Sequence, residues 1–150
     1  MVMPVPVDIY VADLGALSGL YDAYFNLLCR EEKERAHRFV SSALTRDFVL
    51  SHGVMRTILA RHLGLAPDAL LFFKGDRGKP FIVDEQSKGL QFNMSHSGNY
   101  AVVAVSEGAS LGVDIQYHDK SVDVLALAQR FFSADEYQRL LSAAAEDQLA

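Results

Sequence analysis

The stretch Leu90-Gln91-Phe92-Asn93-Met94-Ser95-His96-Ser97-Gly98-Asn99-Tyr100-Ala101-Val102-Val103-Ala104-Val105 decides the fold class. Leu90 to Met94 reads as a strand, and Ser95 and His96 end it and open a Ser-Gly turn. Tyr100 to Val105 is an apolar run with the character of a buried strand. Upstream, Leu70 to Phe73 is a short strand, Gly75-Asp76-Arg77-Gly78 a turn, and Pro80 to Val83 another strand. Downstream, Glu107-Gly108 turns the chain into a further strand, Leu111 to Ile115. Helices flank this group. Leu17, Leu20, Tyr21, Tyr24 and Leu28 have helical spacing, and Glu31 to Phe39 is a second, highly charged helix. Leu44 to Leu63 is a longer one, with Phe48, Ser51/His52, Met55, Ile58/Leu59 and His62/Leu63 along one stripe and Gly64 as its stop. Before them Val5, Val7, Ile9 and Val11 alternate as in a strand. After the strands, helical spacing resumes at Val122, Leu125, Leu127/Ala128 and Phe131. Ser133 then caps a last helix with Glu136 three residues on, a capping-box pattern. That helix carries Tyr137, Leu140, Leu141 and Leu149 and shows no stop signal. Strand, helices, a group of strands, helices is an α+β order, not an alternating βαβ one. No internal repeat, linker or low-complexity segment interrupts it.

The 150 residues allow one domain with a real core, and half of them are apolar, which fits a globular chain. No apolar run reaches the length of a membrane span, and Met1 to Pro6 lack the pattern of a signal peptide. Cys29, the one cysteine, excludes an internal disulfide framework and a cysteine zinc site. The expected compartment is the cytoplasm. A net charge of −5 argues against a general nucleic-acid binder. The charge is unevenly spread: residues 30–79 carry ten Lys and Arg against six acids, net +4, whereas residues 81–150 carry four against ten, net −6. A basic segment on an acidic protein suits an anionic ligand or an acidic partner.

Three constellations suit a phosphorylated ligand and a divalent ion. Lys79 lies between Gly78, which permits close backbone approach, and Pro80, which fixes the exit direction. Ser95 and His96 bring a hydroxyl and an imidazole to a turn with free amides. Asp114 lies in a run too apolar to hold a carboxylate casually, and Gln116, two residues on, shares its strand face. Two such oxygens begin an octahedral Mg²⁺ site completed by phosphates and water. Each alone is equally a turn lysine, a strand-end turn or an edge aspartate. Nucleophilic catalysis by Ser95 is disfavoured: adjacent strand side chains face opposite ways, and the G-x-S-x-G elbow is absent. Arg56 lies on the apolar side of its helix and reads as structural, paired with a carboxylate. His52 and His62 read as helix-face or core-edge histidines. Asn93-Met94-Ser95 is also a glycosylation sequon, without meaning unless the chain is secreted.

Gly78-Lys79-Pro80, Phe92-Asn93-Met94-Ser95-His96-Ser97-Gly98, Gly112-Val113-Asp114-Ile115-Gln116 and Phe131-Phe132-Ser133-Ala134-Asp135-Glu136 occur in the order and at about the spacing of the surfactin-type 4'-phosphopantetheinyl transferases. Leu28 to Phe39 also resembles that family's N-terminal motif. The resemblance implies transfer of 4'-phosphopantetheine from coenzyme A to a serine of an acyl or peptidyl carrier protein, leaving 3',5'-ADP. It implies coenzyme A contacts from Arg35, Lys79, Ser95 and His96. Arg38 lies one helical turn from Arg35, and Arg46, at the start of the long helix, is a further basic candidate. It makes Asp114 a Mg²⁺ ligand. Gln116 stands where the common bacterial pattern has Glu, and Glu32 where some relatives carry a second lysine. Glu136 is expected to cap its helix with Ser133 rather than catalyse.

The resemblance also implies a pseudo-dimer of two similar halves, with residues 1–110 as the N-terminal half and 111–150 as the opening of the second. The family's next motif, a Trp followed by a Lys-Glu pair that supplies the base, is absent, since the chain has no Trp. The catalytic residue is therefore unassigned. The chain reads as truncated, inactive alone, and expected to self-associate or stay loosely folded because the Tyr100–Val105 region and the stripe of Tyr137, Leu140 and Leu141 are uncovered. A non-catalytic coenzyme A or nucleotide-binding module using the same pocket is the second reading; a Ser-His hydrolase is a third. No nucleic acid or membrane partner is expected.

Overall fold

A computed structural model of the protein describes residues 4–76, 78–119, 121 and 123–143. In chain order its elements are β1 (Val7–Asp13), α1 (Tyr21–Leu27), α2 (Arg30–His37), α3 (Ser42–Leu63), β2 (Phe72–Lys74), β3 (Pro80–Ile82), α4 (Asp84–Ser87), β4 (Leu90–Ser97), β5 (Tyr100–Glu107), α5 (Val124–Phe131) and α6 (Ala134–Ser142). The α+β order expected from the sequence is present. The chain divides after Gln116 into one unit holding everything through β5 and a second holding α5 and α6. Val122 and Leu149, counted above as helical positions, and the turn residue Arg77 lie outside the described residues.

Helix α3 organises the first unit. Ser41 caps it by accepting the Leu44 N–H, and Gly64 ends it in the left-handed conformation at φ 68°. One face buries Val54, Met55, Leu59, Ala60 and Leu63 against Leu70, Ile82, Leu90, Phe92, Val103 and Val105. Each of these side chains larger than alanine stabilises the fold by about 1.5–3 kcal/mol. On another face α1 crosses α3 closely: a Cβ on Gly53 would lie 2.3 Å from the Tyr24 ring. Only glycine allows that approach.

Three strands form an antiparallel sheet in the order β1-β5-β4. Paired residues share a face, so the register puts Tyr10, Ala12, Val103, Val105, Phe92 and Met94 on the side packed against α3. The Tyr10 hydroxyl and His62 Nε2 are 2.9 Å apart, which ties β1 to the end of α3. The apolar alternation that marks β1 therefore faces outward: Val7, Ile9 and Val11 are 47, 63 and 64 % exposed. The expectation of an uncovered Tyr100–Val105 region is corrected here. Tyr100 is exposed, but Ala101 to Val105 are buried, because β5 is the central strand with a neighbour on each side.

Two other expectations change. Leu111 to Ile115 forms no strand. Its amides at Val113 and Ile115 bond instead to side chains of β4, namely Asn93 and Ser95. The short helix α4 is additional; four residues are too few to show a periodicity.

Helix α2 is tied to α3 by a buried pair. Arg56 is fully buried, and its Nε donates to Glu32 Oε2 at 2.8 Å. Nη1 donates to the carbonyls of Pro67 and Leu70 at 2.9 and 3.1 Å. Nη2 is 2.8 Å from the same Glu32 oxygen, in ion-pair range but out of line for a hydrogen bond. The same Glu32 oxygen also accepts the Cys29 N–H, closing the first turn of α2. The carboxylate partner expected for Arg56 is thus Glu32.

In the second unit, Asp123 caps α5 through the Ala126 N–H. Ser133 and Glu136 cap α6 reciprocally, as expected. Ser133 donors hold the Glu136 carboxyl below its usual range. Tyr137 and Leu140 are half-buried and Leu141 is exposed. Among the described residues no helix is long and apolar enough to cross a membrane.

Candidate functional site

The first unit contains a cleft of about 840 Å³ between α2, the first turns of α3, the β2–β3 hairpin and β4. That volume suits a sizeable organic ligand. Arg35 and Arg38 enter it from α2, Phe48 and His52 from α3, Lys74 from β2, and Met94 and His96 from β4. Gly78 and Pro80 form its hairpin rim.

The charges resolve into a cationic wall. Of the three acids along the α2 side, Glu32 is committed to Arg56 and Glu34 to Arg30 at 2.8 Å, while Glu31 takes only the Cys29 thiol at 3.7 Å and keeps its charge; Arg35, Arg38 and Lys74 outweigh it. Among the described residues Arg35 has no ion-pair partner. Its guanidinium lies 5.3 Å from the centroid of the Phe48 ring. Phe48 in turn stacks on His52, with centroids 3.9 Å apart. Arg35 is held by an aromatic face yet keeps its donors available to an anion.

His52 Nδ1 is 3.0 Å from the Phe48 carbonyl, which can only accept, so Nδ1 carries the proton and Nε2 is an acceptor. Burial lowers the His52 pKa from 6.5 to about 4 and outweighs the opposing charge of Glu32. His52 is therefore neutral at pH 7. Burial also raises the Cys29 pKa, so this lining thiol stays protonated and is a poor nucleophile.

The predicted site residues separate into three groups. Arg35 and His96, which are 61 positions apart in sequence, line the same cleft. Ser95 does not converge with His96. Both lie inside β4, which runs on to Ser97, so their side chains take opposite faces. His96 pairs with Ala101 and Ser95 with Val102, on opposite faces of the sheet; Asn93, on the face of Ser95, still borders the cleft because β4 is an edge strand. Ser95 Oγ donates to Asp114 Oδ1 at 2.7 Å and accepts the Ile115 N–H at 3.3 Å. Lys79 joins this second group: its ammonium donates to the Leu111 carbonyl at 2.8 Å and lies 5.4 Å from the Phe81 ring centroid. Arg46 forms the third. It is not among the residues lining the cleft, and Asp47 Oδ1 takes both its Nε and Nη2, at 3.0 and 2.7 Å.

Asp114 and Gln116 are exposed and alternate with half-buried Val113 and Ile115, so they share one side of the segment. Among the described residues no three of His, Cys, Asp or Glu converge to hold a metal. The donors this chain offers are two hard oxygens, one charged and one neutral. That fits Mg²⁺, which binds few protein ligands and completes its shell with phosphate and water.

Lys74, Phe48 and His52 are among the cleft residues that were not singled out from the sequence as ligand contacts. Lys74 sits at the end of a strand too short to reveal its facing. His52 was placed correctly at the core edge, but nothing local says that the edge opens into a cleft.

Comparison with known proteins gives the relationship. Residues 18–108 match the family described as 4'-phosphopantetheinyl transferase, N-terminal. The chain is 39 % identical over 116 residues to the 4'-phosphopantetheinyl transferase HetI of Nostoc, covering 77 % of this chain and 49 % of that one. It is 40 % identical over 120 residues to the 4'-phosphopantetheinyl transferase psf-1 of Bacillus pumilus, covering 80 % and 49 %. The chain thus spans about half the length of these curated relatives. The fold is that of a holo-(acyl-carrier-protein) synthase from Bacillus anthracis, solved with CoA (3',5'-ADP), at a TM-score of 0.51 and 21 % identity over 67 % of this chain and 92 % of that one. The matched segment holds the cleft and all four elements that build it, and by it the chain belongs to the 4'-phosphopantetheinyl transferase family.

Proposed function

We propose that this chain binds coenzyme A in the cleft between α2, α3 and β4, for transfer of 4'-phosphopantetheine to a serine of an acyl or peptidyl carrier protein. The observation that carries this is the meeting of Arg35 and His96 in one cleft where Glu32 and Glu34 are paired and Arg35, Arg38 and Lys74 outnumber the remaining acid, Glu31. Arg35, Arg38 and Lys74 give phosphate oxygens their cations. The Phe48–His52 stack offers an apolar, aromatic floor to the non-phosphate part of the ligand. Lys79 contributes to the phosphates by exchanging the Leu111 carbonyl for a phosphate oxygen, and Ser95 contributes through Asp114.

Asp114 and Gln116 would hold Mg²⁺, which when bound neutralises charge on the pyrophosphate. The serine oxygen forms a bond to the β-phosphorus as the bond from that phosphorus to the bridging oxygen breaks. 3',5'-ADP leaves with the bridging oxygen and its electron pair, and the hydroxyl proton passes to the base that the family's Lys-Glu pair supplies. In this reading residues 1–110 make the N-terminal half, and the second half begins at 111. The cytoplasm is its compartment. The exposed Val7, Ile9 and Val11 support self-association of the chain.

The test is mass spectrometry of an apo carrier protein incubated with coenzyme A, Mg²⁺ and a chimaera that carries a relative's second half after Gln116. The reading predicts addition of one phosphopantetheine, lost in Arg35→Ala with His96→Ala. An unmodified carrier, or modification that survives both substitutions, overturns it.

A further inference from the structure

We propose that Asn93 is a positioning residue for the Asp114 carboxylate, its side chain replacing a β-ladder that this sheet edge lacks. β4 is an edge strand of the sheet, with β5 on one side only. The 111–116 segment runs past it without backbone pairing to it. Asn93 and Ser95 are two residues apart, so they share a face, and the amides they accept, at Val113 and Ile115, are also two apart. Asn93 Oδ1 takes the Val113 N–H at 2.8 Å, and Ser95 Oγ takes the Ile115 N–H at 3.3 Å. The matched period locks the segment in register. Lys79 Nζ on the Leu111 carbonyl, at 2.8 Å, fixes the segment further upstream until coenzyme A takes the ammonium, which leaves Asn93 and Ser95 as its anchors.

Asp114 lies between the two anchored amides, and alternation turns its side chain away from theirs, to the exposed side. Ser95 touches the carboxylate directly. Asn93 acts on it only through the Val113 backbone. An amide oxygen suits this task because it accepts without adding a second negative charge beside Asp114. With Asn93 removed, the Val113 N–H turns to water and the segment gains freedom on the side of Asp114 that faces Lys79.

The inference rests on the transferase reading for what Asp114 binds. Its test joins two measurements on Asn93→Ala and Asn93→Asp. The first is hydrogen exchange of the Val113 amide. The second is Mn²⁺ binding in the presence of coenzyme A, read by water-proton relaxation. Asn93→Ala should exchange at Val113 about fivefold faster or more and bind Mn²⁺ more weakly by a similar factor. Asn93→Asp should keep Val113 protected, because a carboxylate oxygen also accepts. Unchanged exchange in Asn93→Ala, or faster exchange with Mn²⁺ affinity intact, overturns the inference alone. A parent protein that binds no Mn²⁺ contradicts the transferase reading, and the inference falls with it.

Discussion

Replacing Glu32 by Ala isolates the one charge buried among the described residues. Arg56 has no exposed surface, and Glu32 is its only anionic partner among the described residues. Removing one member of a buried pair leaves an uncompensated charge, which costs about 3–5 kcal/mol. The Cys29 N–H also loses its acceptor, at about 1 kcal/mol. The sum is comparable to the whole stability of a domain, about 5–15 kcal/mol. Urea unfolding followed by far-ultraviolet circular dichroism measures it. With a slope near 2 kcal/mol/M, the midpoint should fall by roughly 2 M. Glu32→Gln keeps an acceptor oxygen for Nε and should lose about half as much. If Glu32→Ala shifts stability by less than about 1 kcal/mol, Arg56 is hydrated or re-paired, and α2 is not docked by this bridge.

Gly53→Ala should destabilise the protein even though alanine is favoured over glycine by about 1 kcal/mol in a helix interior. The added Cβ meets the Tyr24 ring at 2.3 Å, so a stabilised variant would refute the α1–α3 crossing. The folded pKa of His52, about 4, lies below its ordinary 6.5, so the unfolded chain binds the proton more readily. Its stability contribution is present above pH 6.5 and is lost as pH falls toward 4, with a slope of at most about 1.4 kcal/mol per pH unit. Denaturation midpoints of parent and His52→Gln across this range should converge at low pH; parallel curves would show that His52 is not desolvated. Gln116→Glu should lower the Mg²⁺ concentration needed for coenzyme A-linked metal binding, and Asp114→Ala should abolish that binding. An unchanged requirement in Gln116→Glu would place Gln116 outside the metal's first ligands.

What the sequence revealed was local, and what it concealed depended on the partner an element meets. The stop of α3 at Gly64 and the Ser133–Glu136 box were legible because the deciding residues lie within a few positions. Arg56 on an apolar stripe announced a buried carboxylate, though not that Glu32, 24 positions away, supplies it. Alternation marked β1 as a strand but could not say which face meets α3; the Tyr10–His62 contact decides that. Leu111 to Ile115 has a strand's pattern, but here side chains of β4 take the amides a neighbouring strand would take. The same limit applies to the candidate site. Motif order picked out Arg35, His96, Lys79, Ser95 and Asp114; tertiary packing put Arg35 and His96 in the cleft and gathered Lys79, Ser95 and Asp114 along the 111–116 segment. Arg46 looked like its basic neighbours in sequence, but Asp47 beside it takes its charge.

If coenzyme A binds in the cleft holding Arg35 and His96, those two side chains carry its affinity. Calorimetric titration of coenzyme A into the parent protein, Arg35→Ala, His96→Ala and Arg46→Ala tests it most directly. Charge-assisted contacts are worth about 1.5–3 kcal/mol. Arg35→Ala and His96→Ala should therefore each weaken binding about tenfold or more, while Arg46→Ala binds as the parent does. No saturable binding by the parent, or a loss in Arg46→Ala with Arg35→Ala and His96→Ala unaffected, would contradict the account.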